Sequence, residues 1–511
     1  MKRVLSLIVC FLMLTSLFGA CGSSESEVAG TGSFMAGYGT ADISPQESIY
    51  LWGYGDEKAD RMSTTVTERL WVTTVALTDA EGKTLIFMAT DLLQAESVFA
   101  EPVRKAVAEA TGVPLDQVMF HCSHNHGGPD PRQSASYQAL LTESCVQSAK
   151  DAMADRKPAQ MFTTFSRPEG FNFVRHYLLA SGKYRAEGVG LEAKENIIGH
   201  TGQPDNLLQL VKFTREDGKD IMLMNWQGHP RGNDPDPRTA ACANYAGVMR
   251  TTVAEGLDCL PVFVLSGSGN MNNNSQIVEE VKHASYVELG KALGQEVITA
   301  SANFKPAATD KMLMTKKYLN TNGQEDSTGG TPLYAFSIGD FAIVTAPFEI
   351  FSTNAQAVKE ESAFPMTFYA SCSNESRGYL PTPEPFQYEH SYEVRITKYP
   401  MGTAEVVQGM LSTMLDDLFA EGGYTEAEKP EGYIQPEFGA QCDGKEYMNA
   451  NPGNLDAYEK VENDFYRITM LVNGKPKTML CISEDVAKQV LATTTTKLLL
   501  NEQNVVVGIA E

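Results

Sequence analysis

The segment Met119-Phe-His-Cys-Ser-His-Asn-His-Gly-Gly-Pro129 places His121, His124 and His126 within six positions of a chain that has eight histidines in all. Neutral imidazole is the commonest metal ligand, and a loop leaving a buried strand is where a catalytic zinc site would gather several of them. The competing reading is a polar loop whose histidines only cap and hydrogen-bond, because a histidine-rich tract is compositional information. Cysteines offer no rival site. Beyond Cys10 and Cys21 they stand at Cys122, Cys145, Cys242, Cys259, Cys372, Cys442 and Cys481, without the short spacings of a thiolate zinc site or a disulfide framework. A metal is therefore expected among nitrogen and oxygen donors.

Elements must position such residues. Thr84–Thr90 reads as a buried strand, the stretch from about Phe99 to Thr111 as a helix, and Gln117–Cys122 as the next strand. A strand-helix-strand unit naturally yields a parallel sheet covered by helices. Further buried strands are expected at Ile221–Trp226, Pro261–Leu265, Phe341–Thr345 and Met366–Ala370, with helices near 135–154, 243–256, 278–299 and 352–362. Polar residues follow the strands: Asp91, then His124 and His126, then His229, then Ser266 to Asn274, Glu349 and Tyr379. In open α/β sheets ligands bind outside the carboxyl ends of strands, so these residues could converge. The expected fold class is α/β, a layered domain over 34–422 with a largely parallel sheet. From about Gly422 the pattern becomes loop-rich and acidic, then gives Phe465–Val472, Asn473-Gly474 and Lys475–Ile482, the signal of a hairpin with a type I′ turn. Residues 423–511 are expected to form a small β-rich unit.

Met1–Ala20 combines Lys2 and Arg3 with an apolar stretch from Val4 to Leu17 and small residues before Cys21, the pattern of a secretory leader. Leu17-Phe-Gly-Ala-Cys21 resembles a bacterial lipobox, which implies a lipidated Cys21, and residues 22–33 read as a polar flexible tether. An exported lipoprotein held at a membrane through Cys21 is the expected localisation. No other apolar run approaches the roughly 18 residues a spanning helix needs. The net charge of −23 repels phosphate backbones and argues against nucleic-acid binding.

Several of these segments resemble the neutral (non-lysosomal) ceramidase family. Gly37-Tyr-Gly-Thr-Ala-Asp-Ile-Ser-Pro45 and Trp52-Gly-Tyr-Gly55 are similar to its N-terminal opening, and Ser123-His-Asn-His-Gly-Gly-Pro129 to its Thr-His-Thr-His-Ser-Gly-Pro loop. Asn225-Trp-Gln-Gly-His229, Ala346-Pro-Phe-Glu349 and Arg377-Gly-Tyr-Leu-Pro-Thr382 follow in the family's order. The resemblance implies a zinc amidase in which His124, His229, Glu349 and Tyr379 hold the metal. By the same match His126 stands beside the metal, Arg175 in Phe171-Asn-Phe-Val-Arg-His-Tyr177 is the active-site arginine, and His121 is structural.

Two imidazoles, a carboxylate and a phenolate would nearly balance the charge of Zn²⁺ while leaving a position for water, whose pKa zinc can lower to about 7. Arg175 could stabilise the oxyanion formed when a carbonyl is attacked. Ser266-Gly-Ser-Gly-Asn-Met-Asn-Asn-Asn274 departs from the family pattern, because Asn272 stands where ceramidases carry a serine. An amide cannot be a nucleophile there, although it can still donate a hydrogen bond and orient a substrate. The expected function is zinc-dependent hydrolysis of an N-acyl amide. The alternative, favoured by Asn272, is a non-enzymatic binding lipoprotein that keeps the fold.

Overall fold

The computed structural model describes residues 33–54, 58–186, 197–232, 236–273, 283–388 and 390–510. The leader, Cys21 and all but the last residue of the tether lie outside the described residues, as do Gly55 and Asn274.

Four layers stack as helices, sheet, sheet, helices. The central nine-stranded sheet runs in the order Leu260–Leu265, Ile221–Trp226, Leu208–Arg215, Lys157–Ser166, Met35–Asp42, Trp71–Thr78, Thr84–Thr90, Val118–Cys122, with Lys305–Ala307 added beside Lys157–Ser166. Period-two alternation sends its side chains to two different cores. Ile86, Met88, Phe120, Met224 and Phe263 face the helices Ser97–Thr111, Ala135–Ala154, Asn244–Leu257 and Tyr286–Ala300. Leu85, Phe87, Met119, Leu223 and Val264 instead face a second sheet, where they meet Phe336, Phe341, Ile343 and Phe368. That second sheet runs Met312–Leu319, Thr331–Ile338, Phe341–Thr345, Met366–Ala370. Its outer face, with Leu333, Ala342 and Val344, is covered by Ser352–Glu361 and Thr403–Gly422.

The α/β class holds, but the expectation of a largely parallel sheet does not. Only the edge pairs of the central sheet, Ile221–Trp226 with Leu260–Leu265 and Thr84–Thr90 with Val118–Cys122, are parallel. Every pairing between them is antiparallel. The reason lies in the burial. A strand covered on both faces reads as a continuous apolar run whatever its direction, whereas direction is set by the connections. The Trp71–Thr78 and Thr84–Thr90 strands are joined by a tight turn in which Asp79 Oδ1 accepts from the Glu81 and Lys83 amides, and such a turn demands a hairpin.

Twist curls the central sheet until its two edges meet. Across the gap the Leu265 amide donates to His121 Nε2 at 2.9 Å, and His121 Nδ1 lies 3.0 Å from Ser373 Oγ. Burial pushes His121 down to about 3, so it stays neutral and serves as this latch. The closure brings the ends of Val118–Cys122 and Ile221–Trp226, far apart in strand order, to one place.

Gln441 begins an eight-stranded terminal sheet. Its hairpin Tyr466–Val472/Lys475–Cys481 turns at Asn473 (φ 52°) and Gly474 (φ 74°), the positive pair a type I′ turn requires. The helix Glu484–Leu491 packs Ala487, Val490 and Leu491 on that sheet. The preceding stretch lies on the larger unit, where Tyr433 is buried between the two sheets and its hydroxyl meets Gln209 Nε2 at 2.6 Å.

Candidate metal centre

The loop after Val118–Cys122 is fixed before any ligand is considered. Asn125 Nδ2 donates to the carbonyls of Asp91 and Cys242, and Asn125 Oδ1 accepts from the Gly127 amide. Asp91 is itself clamped by Arg250 through two bonds of 2.7 and 2.5 Å. Held this way, His124 adopts φ 60°, a left-handed conformation that costs a non-glycine residue on the order of 1–2 kcal/mol and turns its ring toward His229. His229 follows Ile221–Trp226, where Gln227 Nε2 donates to the carbonyls of Asp205 and Leu207. Glu349 and Tyr379 are direct partners in a two-residue parallel bridge.

These four residues meet. His124 Nε2 lies 3.0 Å from His229 Nε2 and 3.2 Å from Glu349 Oε2, and Tyr379 stands beside Glu349 in their bridge and lines the same cleft. His126 joins them with Nε2 2.9 Å from His229 Nε2. One ring nitrogen from each of the three histidines falls within 4.8 Å of the other two, and all three rings are buried.

Their outer nitrogens decide how they can be used. His124 Nδ1 is 3.0 Å from Leu93 O and His229 Nδ1 is 3.4 Å from Ser268 O, so each donates outward and turns the lone pair on Nε2 inward. Lone pairs facing each other at this distance call for a cation between them. A tetrahedral zinc with Zn–N of about 2.0–2.1 Å sets its ligand nitrogens roughly 3.3 Å apart, close to the spacing here. The residues therefore fit a zinc ion.

Charge points the same way. Burial opposes protonation of His124, yet the Glu349 carboxylate outweighs it and lifts His124 to about 10. Burial works against the Glu349 anion too, and His124 nevertheless holds that carboxyl below its ordinary value. His126 and His229 are pushed well down, chiefly by burial and then by the charge on His124. Tyr379 is raised well above the ordinary phenol by burial and by Glu349. The cluster thus needs one positive charge beside Glu349, supplied by a proton on His124 or by a metal that displaces it.

A cleft of about 280 Å³ opens above the cluster. His124, His126, Glu349 and Tyr379 line its polar part, and Trp52, Tyr54, Leu93, Tyr392 and Ile396 supply its apolar walls. Tyr54 packs edge-on against His126, with ring centroids 5.0 Å apart.

Arg175 and Asn272 line no part of this cleft. Arg175 is buried, with Nη2 donating to Tyr379 OH at 3.2 Å and to Gly269 O at 2.7 Å. Asn272 is fully buried in a bridge with Phe173, and its Oδ1 accepts from the Asn273 amide at 2.9 Å. Sequence reading missed two supporting residues. Gln94 Nε2 donates to Glu349 Oε1 at 2.6 Å while its own Oε1 accepts from Ser376 Oγ. Glu393 accepts from Arg175 and lies 3.1 Å from His176 Nε2. For Gln94 a signal existed, three positions beyond Asp91 at the end of Thr84–Thr90. For Glu393 none did.

No family model matches the chain, and no curated protein matches it in sequence. Two solved structures match it in fold. The neutral ceramidase from Pseudomonas aeruginosa gives a TM-score of 0.61 at 13% identity, covering 86% of this chain and 84% of that one. A ceramidase complexed with C2 gives 0.61 at 14% identity, covering 89% of this chain and 90% of that one. The layers that carry this cluster are therefore those of a ceramidase-like fold, extending over most of the chain.

Proposed function

We propose that the chain is a zinc-dependent amidohydrolase acting on an N-acyl amide. The observation that carries this reading is the convergence of His124, His126, His229 and Glu349, each within hydrogen-bond distance of at least one of the others, below an apolar-walled cleft. The likeness in fold to ceramidases supports the amide as the bond cleaved.

His124, His229, Glu349 and Tyr379 would hold the metal. Zinc bound there supplies a Lewis acid that lowers the pKa of water to about 7 and polarises a carbonyl. His126 lines the cleft and presents Nε2 to the same point, within reach of a water bound beside the cluster, so its assigned role is as a proton acceptor or hydrogen-bond partner of that water. Gln94 holds Glu349 through Oε1, leaving Oε2 toward His124. Trp52, Tyr54, Tyr392 and Ile396 give the hydrocarbon part of a substrate an apolar wall and exclude water around the reacting carbonyl. Asn272 is buried in the loop beside the site and lines no part of the cleft.

The second reading, a binding protein without turnover, is favoured by Asn272 standing where a hydroxyl would be. Metal analysis of the purified protein, combined with a panel of N-acyl amides, separates the two. Bound zinc with hydrolysis supports the enzyme, bound zinc with tight binding but no turnover supports the binder, and absence of metal binding excludes both zinc readings.

A further inference from the structure

Arg175 and Glu393 form a buried pair in which Arg175 Nε and Nη2 both point at one carboxylate oxygen, at 3.0 and 2.9 Å. Nη2 also donates to Gly269 O at 2.7 Å, and these contacts fix the plane of a rigid guanidinium. The edge thus fixed meets Tyr379 OH at 3.2 Å. The other oxygen of Glu393 is occupied as well, lying 3.1 Å from His176 Nε2 and accepting from Ser391 Oγ at 3.1 Å. Glu393 sits on the short helix Tyr392–Ile396, whose following residue Thr397 donates from Oγ1 to the Tyr379 carbonyl at 2.8 Å. That helix also carries Tyr392 and Ile396 to the cleft wall. One element therefore grips Tyr379 at its backbone and, through Arg175, at its hydroxyl.

Stability alone does not account for the pair, because a buried ion pair is often no better than well-packed apolar side chains of the same volume. What it does supply is direction at the Tyr379 oxygen. We infer that Glu393 is a positioning residue of the metal site: it holds Arg175 against the Tyr379 hydroxyl and thereby fixes that oxygen on the cleft it shares with His124 and Glu349. The inference rests on the zinc reading above.

The test measures zinc affinity of the full chain by competition with a chromophoric chelator, together with kcat and KM on whichever N-acyl amide the panel yields. Glu393→Gln keeps the shape and removes the charge. It is expected to weaken zinc binding about 10-fold and to lower kcat by about 10- to 100-fold, with KM changed by less than about 3-fold. In an Arg175→Met background the same Glu393→Gln change should cost nothing further, since its effect passes through the arginine. Wild-type zinc affinity and kcat in Glu393→Gln would overturn the inference, as would an equal loss in both backgrounds. Should Glu393→Gln fail to fold, Arg175→Met is compared with Arg175→Met/Glu393→Met, in which no charge is left unpaired. Equal zinc affinity in that pair supports the inference, and a further loss overturns it. A wild-type chain that binds no zinc would instead remove the metal reading itself.

Discussion

At the scale of single residues, His229 and Asn272 separate the metal chemistry from the serine position. His229 Nε2 faces both other imidazoles, so His229→Ala is expected to abolish zinc retention and hydrolysis together, read by metal analysis and amide turnover. Asn272→Ser is expected to leave zinc content unchanged and turnover within about 3-fold, because a metal-activated water with a pKa near 7 is already a competent nucleophile. Hydrolysis that appears only in Asn272→Ser would show that the natural protein binds without turning over. Gly53 tests the assignment of His126. It sits at φ 120°, and an added Cβ would stand 2.5 Å from His126 Nδ1, so Gly53→Ala must displace that ring. With His126 as proton acceptor rather than ligand, the variant should lose about 10-fold or more in kcat/KM while keeping its zinc. Loss of the metal instead would make His126 a ligand.

At the scale of elements, His121 is the residue that closes the curled sheet, so its removal is a structural test. His121→Leu leaves the Leu265 amide buried without its acceptor, which costs about 1–3 kcal/mol and should lower the urea midpoint at pH 7. The pH dependence has a definite sign. His121 is depressed to about 3 in the folded chain against about 6.5 unfolded, so the unfolded state binds the extra proton. Its contribution is fully present above about pH 6.5 and declines as pH falls toward 3, by up to about 1.4 kcal/mol per pH unit. Wild type should therefore lose stability more steeply than His121→Leu between pH 6.5 and 5; parallel curves would show that the ring is not held neutral. The same elements explain what sequence could tell. Strands such as Thr84–Thr90 and Phe341–Thr345 were legible because burial on both faces leaves an unbroken apolar run, and that burial hid their direction. His124, His229, Glu349 and Tyr379 were each legible through a local motif. The pairing of Glu349 with Tyr379 was not, because a two-residue bridge has no pattern of its own. Gln94 and Glu393 act through contacts 255 and 218 residues away in the chain, which no local window contains.

At the scale of the whole molecule, the question is how an apolar-walled cleft would be kept near a lipid-like substrate. Among the described residues no helix is long and apolar enough to cross a membrane. Tyr392 and Ile396 at the cleft are only 37% and 38% exposed, too little apolar surface to hold a protein at a bilayer by themselves. A net charge of −23 adds repulsion from an anionic surface rather than attraction. We propose that acyl chains on Cys21, the anchor expected from the leader pattern, supply such association; at about 0.8 kcal/mol of burial per CH₂, stable anchoring takes more than one chain. Such anchoring is hydrophobic, so wild type should stay in the membrane fraction through a high-salt wash and leave it in detergent. Cys21→Ala should yield either a soluble protein or a precursor that retains residues 1–20, distinguished by fractionation and by the mass of the N-terminal peptide. A Cys21→Ala protein that is cleaved and still partitions with membranes as wild type does would show that something other than a lipid on Cys21 holds the molecule there.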